Sequence, residues 1–499
     1  MSGSISPKTL AGLVASAGID AHIQGSPTTQ VADIAYDSRS VDPGALFLCV
    51  PGARTDGHVH ASDAARSGAA ALVVERSVDV DLPSIVVPDV RAAMGDLAAA
   101  FFDHPAERLL IAGVTGTNGK TTTAYLLAAI MQEEGLAPGL IGTIETRVGG
   151  RARPGARTTP ESVDLQRLFA EMIAAGAKAV AMEVTSHALV LGRVNGIRFQ
   201  AAGFTNLTQD HLDFHADMED YFAAKRSLFV AGRTEKAAVN ADDPYGRRLL
   251  GEVGIPAVSF GTGDAEVRAR DISFLPSQSA FSIVTPKGDI AVRTSLIGGF
   301  NVSNCLAATA IALQCGITLT AIERGLASVV SVPGRFEAID EGQPFSVVVD
   351  YAHTPDSLDN VLQAARGAVR EGRVICVFGC GGDRDRAKRP LMGAVVARTA
   401  DICVVTSDNP RSEDPEVIIG EILEGVRAER AEGPDYHDVD RRVAIEVALG
   451  WARPGDVVVI AGKGHETGQQ FADVTVPFDD RVVAHEVLAS LGFGKDSRV

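Results

Sequence analysis

The run Gly116-Thr-Asn-Gly-Lys-Thr-Thr122 has residue types and an order that suit phosphate chemistry. Its glycines let backbone N–H groups wrap an anion, and a helix starting directly after it adds partial positive charge. Lys120 is placed to reach the terminal phosphates of a nucleotide, and Thr121 to ligate Mg²⁺. The loop departs from the strict GxxxxGK[ST] form, because Val114 stands early and the first loop glycine is Gly116.

Other polar groups sit where apolar runs end. Glu183 closes one such run, followed by Thr185, Ser186 and His187, and a carboxylate there suits a Mg²⁺ ligand. Asn206-Leu-Thr-Gln-Asp-His-Leu-Asp-Phe-His215 closes another, and its His211 is a candidate metal ligand. A lone loop histidine is usually structural or solvated. Lys225 lies in Tyr221-Phe-Ala-Ala-Lys225 and by itself reads as a solvated helix lysine. Arg335, in Pro333-Gly-Arg-Phe-Glu337, is placed to swing onto a phosphate when domains close.

Further on, Phe378-Gly-Cys-Gly-Gly-Asp383 leads into Arg384, Arg386, Lys388 and Arg389, a cationic patch. Thr406-Ser-Asp-Asn-Pro-Arg411 and Ala461-Gly-Lys-Gly-His-Glu466 follow two more apolar runs. Together these ends describe a crevice holding arginines and at least one carboxylate. It suits a zwitterion such as an amino acid.

Elements must position these groups. Apolar runs at 44–50, 70–74 and 84–87 predict strands, and 90–102 a helix, giving a mixed α/β first segment. A second unit opens with a strand at 109–114 and a helix at 120–134. Strands at 177–184, 200–205 and 237–240, with a helix at 218–229, imply a parallel sheet covered on both faces. From 265 to 297 the pattern turns period-two, which predicts a small antiparallel appendage. A third, Rossmann-like unit starts near Gly334, with strands at 345–350, 373–378, 402–406 and 456–460. Thr354 and Pro355 cap and start its first helix. In such doubly wound sheets, functional residues gather at the C-terminal edge.

The chain has 499 residues, enough for about three domains at roughly 150 residues each. With 46 Lys and Arg against 63 Asp and Glu, the net charge is −17. That excludes a broad basic face for nucleic acid, and the 46% hydrophobic content excludes wholesale disorder. The six cysteines form no CxxC pair and read as buried free thiols in a reducing compartment. Residues 10–18 are apolar but preceded by only Lys8, so they read as a short helix, with Ser6 as cap, Pro7 as first residue and Gly18 as stop. Residues 294–322 carry no charge, yet Gly298, Gly299, Asn301, Asn304, Gln314 and Gly316 interrupt them, against a membrane helix. A cytoplasmic monomer without membrane or nucleic-acid partners is expected.

Taken together, the motifs resemble the Mur ligases, ATP-dependent amide ligases of peptidoglycan precursor synthesis. The resemblance covers essentially the whole chain. It rests on Gly116 to Thr122, Asn206 to Asp213, Tyr221 to Lys225, Pro333 to Glu337 and Asp350-Tyr-Ala-His-Thr-Pro355. Within the family, Asp408-Asn-Pro-Arg411 is similar to the signature of members that add meso-diaminopimelate.

The resemblance implies three domains: 1–106 for the UDP-substrate, 107–334 for ATP and 335–499 for the amino acid. It implies that Gly116, Thr117, Asn118, Gly119, Lys120, Thr121 and Thr122 bind ATP phosphates with Arg335. Asn304 would contact adenine and Asp350 the ribose. Thr121, Glu183, His211 and Lys225 would hold Mg²⁺, Lys225 as a carbamate, with Lys120, Lys225 and His211 catalytic. Ser38, Thr158, Thr159, Ser186 and Arg193 match UDP-MurNAc-dipeptide contacts. Arg384, Asp408, Asn409, Pro410, Arg411, Gly462 and Glu466 match those for diaminopimelate. One departure stands out: where the family pattern carries glutamine shortly before Arg193, this chain has Val190-Leu191-Gly192.

Three alternatives remain at this point. A lysine-adding ligase on the same scaffold is disfavoured by Arg411. A folylpolyglutamate synthase-like ligase is disfavoured by the N-terminal hundred residues with Asp37-Ser-Arg39. An ATP-hydrolysing switch would release phosphate without co-substrates.

Overall fold

Alternating apolar strands and amphipathic helices build three α/β units. The computed structural model describes residues 6–52, 55–155, 157–275, 278–369 and 371–494. In the first unit, strands run in the order His22–Gln24, Ser84–Val86, Ala71–Val74, Ala45–Leu48, Asp33–Ala35. Helices Leu10–Ala17 and Val90–Phe101 share one core with this sheet. The first helix differs from its sequence reading. Its cap is Thr9, whose side chain accepts from Gly12 N at 3.1 Å, not Ser6. Lys8–Thr9 pairs antiparallel with Gln30–Val31, which holds the preceding residues extended.

The central sheet has eleven strands. Gly139–Ile141, Ala179–Glu183, Leu110–Thr115, Phe199–Phe204, Thr234–Asn240, Ala257–Gly261 and Val267–Leu275 are joined in parallel. Two apolar cores flank the sheet. One packs under Lys120–Glu133 and Gly299–Gln314, the other under Ser162–Ala174 and Met218–Arg226. That double burial explains why strands such as Ala179–Glu183 are apolar without alternation. The antiparallel strands Gln278–Thr285 and Gly288–Thr294 exist as the pattern predicts, but they do not stand apart. Val267 pairs in parallel with Phe260, so they extend the central sheet.

The third sheet runs Glu337–Ile339, Ser346–Asp350, Val457–Ala461, Val374–Phe378, Ile402–Thr406, Tyr436–Asp438. All joints are parallel except the first. The loops after Asp350, Phe378, Thr406 and Ala461 therefore meet on one edge. A capping box between Thr354 and Ser357 starts the helix Pro355–Ala368 at that edge. The cysteines are free, and all but half-buried Cys315 are buried. No helix of the described residues is long and apolar enough to cross a membrane.

Candidate active site

The nucleotide loop lies between the strand Leu110–Thr115 and the helix Lys120–Glu133. Gly119 caps the helix with φ of 84°, a left-handed conformation. A Cβ there would stand 2.4 Å from Asn304 Oδ1, so only glycine lets the loop approach Asn304. No side chain caps this helix, which leaves its first N–H groups directed at the loop. The end of the Phe199–Phe204 strand braces the loop. Thr117 N donates to Asn206 O at 2.9 Å, and Asn118 N to Asn206 Oδ1 at 2.8 Å. Lys120 Nζ donates to the carbonyls of Gly116 (3.0 Å) and Thr117 (2.7 Å).

Lys225 is not a solvated lysine. Its side chain is buried under the loop, and Nζ donates to Gly116 O at 2.8 Å, 4.5 Å from the Tyr221 ring centroid. Burial pushes its pKa well below the usual amine range, and Lys120 adds to the fall against the pull of Asp210. His211 sits beside it with φ of 56°. Burial lowers His211 to about 3, although Asp210 opposes the shift. Burial alone would raise the Asp210 carboxyl; His211, His353 and Lys388 outweigh it and hold the carboxylate ionised.

Glu183 is buried at its strand end. Its Oε1 accepts from Thr143 N at 2.8 Å and its Oε2 from Thr143 Oγ1 at 3.0 Å. Thr121 is buried too, and its hydroxyl accepts from Arg335 Nη2 at 3.2 Å. Among the described residues, no group of three or more His, Cys, Asp or Glu side chains gathers tightly enough to hold an ion unaided. A sparse protein share fits Mg²⁺, which keeps waters and leans on substrate phosphates.

Arg335 reaches Thr121 from the segment entering the third unit and lies 4.4 Å over the Tyr351 ring. Buried Asp350 accepts from Phe336 N (2.6 Å) and Ala352 N (2.7 Å), and burial raises its pKa. Asn304 donates to Asn301 Oδ1 at 3.0 Å. Asn118 Nδ2 donates to Asp356 Oδ2 at 2.8 Å, linking the loop to the third unit.

The five residues matched to the UDP-substrate divide into two groups. Thr158, Thr159, Ser186 and Arg193 gather beside Glu183. Thr159 Oγ1 donates to Glu183 O at 2.9 Å, Thr158 Oγ1 lies 3.0 Å from Thr143 Oγ1, and Arg193 Nη1 donates to Thr159 O at 3.3 Å. Ser38 stands apart, half-buried in the first unit in a turn capped by Asp37.

The third crevice collects the remaining residues. Arg411 has φ of 54°, and its Nη1 donates to Gly382 O at 2.6 Å. Burial lowers its pKa, and the like charge of Arg384 adds to the shift. Arg384 itself is exposed, with Nη1 on Asp383 O at 2.9 Å. Pro410 is buried against Gly382. Asp408 is buried, and its Oδ1 has no hydrogen-bond partner. Asn409 Nδ2 donates to Glu466 Oε2 at 2.8 Å, and Gly462 N donates to Asp350 O at 3.0 Å.

Three family profiles match in order. "Mur ligase family, catalytic domain" covers residues 30–102, "Mur ligase middle domain" 114–312 and "Mur ligase, glutamate ligase domain" 334–464. The chain belongs to the Mur ligase family. It is thus an ATP-dependent, amide-bond-forming ligase. It is 48% identical to the UDP-N-acetylmuramoyl-L-alanyl-D-glutamate--2,6-diaminopimelate ligase of Geobacillus thermodenitrificans, over 94% of this chain and 96% of that one. Identity is also 48% to the protein of the same name from Streptomyces coelicolor, over 92% and 93%. A solved structure of a ligase of that name superposes with a TM-score of 0.70 at 32% identity, covering 98% of this chain and 100% of that one. A folylpolyglutamate synthase from Mycobacterium tuberculosis shares the fold at 18% identity, with a TM-score of 0.61 over 75% of this chain.

Sequence reasoning passed over two buried residues of these Mur ligase sites. Lys463 is fully buried in the third crevice, and Nζ bonds Asn409 Oδ1 and Glu466 Oε2, each at 3.0 Å. His215 is buried beside Ser186, with Nε2 2.9 Å from Ser186 Oγ and Nδ1 3.1 Å from Asp220 Oδ2. Only the position of Lys463 between two glycines after an apolar run hints at either.

Proposed function

We propose that this ligase joins meso-diaminopimelate to UDP-N-acetylmuramoyl-L-alanyl-D-glutamate in peptidoglycan precursor synthesis. One observation carries the choice of amino acid. Half-buried Arg411 and buried Asp408, whose Oδ1 accepts no hydrogen bond and has Lys463 Nζ at 3.7 Å, share one crevice, so it offers a cation to a carboxylate and an anion to an ammonium. A second carboxylate on the amino acid would pair with Arg411 in bidentate fashion. L-Lysine lacks that group and would leave a desolvated guanidinium unpaired, at a cost of about 1–3 kcal/mol or more.

In this reading the D-glutamate carboxylate attacks the γ-phosphorus of ATP, giving an acylphosphate and ADP. The amine of diaminopimelate, having lost a proton, attacks the acyl carbon. The tetrahedral intermediate expels phosphate and leaves the amide. Lys120 and the N–H groups of Gly116 to Thr122 hold the phosphates where negative charge builds. Arg335 exchanges its bond to Thr121 for phosphate. Asn304 and Asp350 hold adenine and ribose. Thr158, Thr159, Ser186 and Arg193 orient the peptide, with Ser38 on the uridine side. Arg384, Asn409, Pro410, Gly462 and Glu466 complete the amino-acid site around Asp408 and Arg411.

Thr121, Glu183, His211 and Lys225 would hold Mg²⁺, which supplies charge neutralisation on the phosphates when bound. The depressed pKa of Lys225 supports its role: a neutral amine adds CO₂, loses a proton and becomes an anionic carbamate. The division into 1–106, 107–334 and 335–499 assigns one substrate to each unit. The reading includes a cytoplasmic monomer, and the charge of −17 supports the absence of a nucleic-acid partner.

Incubation with ATP, UDP-MurNAc-L-Ala-D-Glu and either diaminopimelate or L-lysine tests the reading. Mass spectrometry should find the tripeptide product with diaminopimelate, and ADP release should need every co-substrate. A lysine product of equal yield, or phosphate release without co-substrates, would overturn it.

A further inference from the structure

Lys463 follows the strand Val457–Ala461 and ends in the crevice with no solvent exposure. A lysine buried this way keeps its charge only if anions and acceptors surround it. It has them. Nζ donates to Asn409 Oδ1 and Glu466 Oε2 at 3.0 Å each and lies 3.7 Å from Asp408 Oδ1. Asn409 Oδ1 also accepts from Gln470 N at 3.0 Å. With both donors on Oδ1, the Asn409 amide is turned so that Nδ2 donates to Glu466 Oε2 at 2.8 Å. Glu466 Oε2 thus receives two donors, while Oε1 receives none from the described residues.

The charges around it are countable. Arg441 and Asp480, both fully buried, pair with each other at 2.7 Å. That leaves the carboxylates of Asp408 and Glu466 between two cations, Lys463 beside them and Arg411 in the same crevice. An incoming ammonium finds Glu466 Oε1 as an acceptor that no described residue has taken. Without Lys463, two carboxylates would face each other with no cation between them, and repulsion would part them.

We infer that Lys463 is a positioning residue for the amino-acid substrate. It locks the Asn409 amide and holds Glu466 through Oε2, which leaves Oε1 to accept from an ammonium. This deepens the proposed function and rests on it.

The test is steady-state kinetics of K463M and K463Q beside the parent enzyme. For K463M, the KM for meso-diaminopimelate should rise about ten- to a hundredfold, while the KM for ATP and for UDP-MurNAc-dipeptide stays within twofold. K463Q, which keeps a donor but loses the charge, should fall between parent and K463M. If K463M fails to fold, K463Q decides. A diaminopimelate KM within twofold of the parent in a folded variant overturns the assignment, as does an equal rise in all three KM values. A parent enzyme that makes no diaminopimelate product would instead overturn the functional reading.

Discussion

Gly334 lies against the backbone of His465 so closely that a Cβ at Gly334 would stand 2.1 Å from the His465 amide nitrogen. Gly334 opens the segment that carries Arg335 toward the nucleotide loop, and His465 belongs to the loop of the amino-acid crevice. Under the proposed function, two substrate sites thus share a contact that no side chain can enter. Gly334 also has φ of 64°, a conformation that costs an L-residue strain.

Gly334→Ala should accordingly lower stability by about 2–4 kcal/mol, through overlap with backbone rather than with a yielding side chain. Thermal unfolding would register the loss. An unchanged Tm would mean that the segment shifts without cost.

Arg411→Ala should raise the KM for diaminopimelate about a hundredfold and leave ATP binding intact, because the guanidinium lies outside the nucleotide loop. Titration calorimetry with ATP, beside product assays, separates the two effects. A diaminopimelate KM like that of the parent would remove Arg411 from the site.

Lys225 should gain the mass of one CO₂ when intact protein is examined with bicarbonate present, and Lys225→Ala should not. Stripping CO₂ from the buffer should slow turnover by about ten- to a hundredfold or more, reversed by added bicarbonate. Activity indifferent to bicarbonate would leave Lys225 as an amine that holds Gly116.

His465 makes a prediction about acid. Burial, reinforced by Arg335 and Arg481, lowers it from 6.5 to about 3. Between those values the unfolded chain takes up a proton that the native protein refuses. Stability from this group is therefore complete above about pH 6.5 and falls as pH drops toward about 3. His211, also lowered to about 3, shares the window. Denaturant midpoints across the window should fall with pH, and less steeply in His465→Gln, by one proton's share of the slope. An unaltered slope would place the acid sensitivity elsewhere.

The fold was largely legible because its strands are buried on both faces, and continuous apolar runs leave little ambiguity. The helix read at 90–102 is Val90–Phe101, and that at 120–134 is Lys120–Glu133. The misplaced cap at Ser6 has a clear cause: a two-residue pairing with Gln30–Val31 decided where the first helix starts, and such a pairing has no local signal. The nucleotide loop announced itself through glycines. Lys225 did not, because a lysine's burial is a tertiary fact, and only family resemblance pointed to it. Lys463 and His215 stayed hidden for the same reason. Their meaning lies in Asn409 and Ser186, which are distant in sequence, joined to the near neighbours Glu466 and Asp220.

The contacts between the nucleotide loop region and the third unit include hydrogen bonds that water can imitate, beside buried Asp210 facing His353 and Lys388. Asn118 and Thr208 reach Asp356 at 2.8 and 3.4 Å, Gln209 reaches Asp385 at 3.3 Å, and Arg335 reaches Thr121. The hydrogen-bonded part of this seam holds two faces in register yet separates at small net cost, since each parted group finds a solvent partner. Under the proposed function, opening that part of the line is how a substrate enters and the product leaves, as a zip rather than a weld.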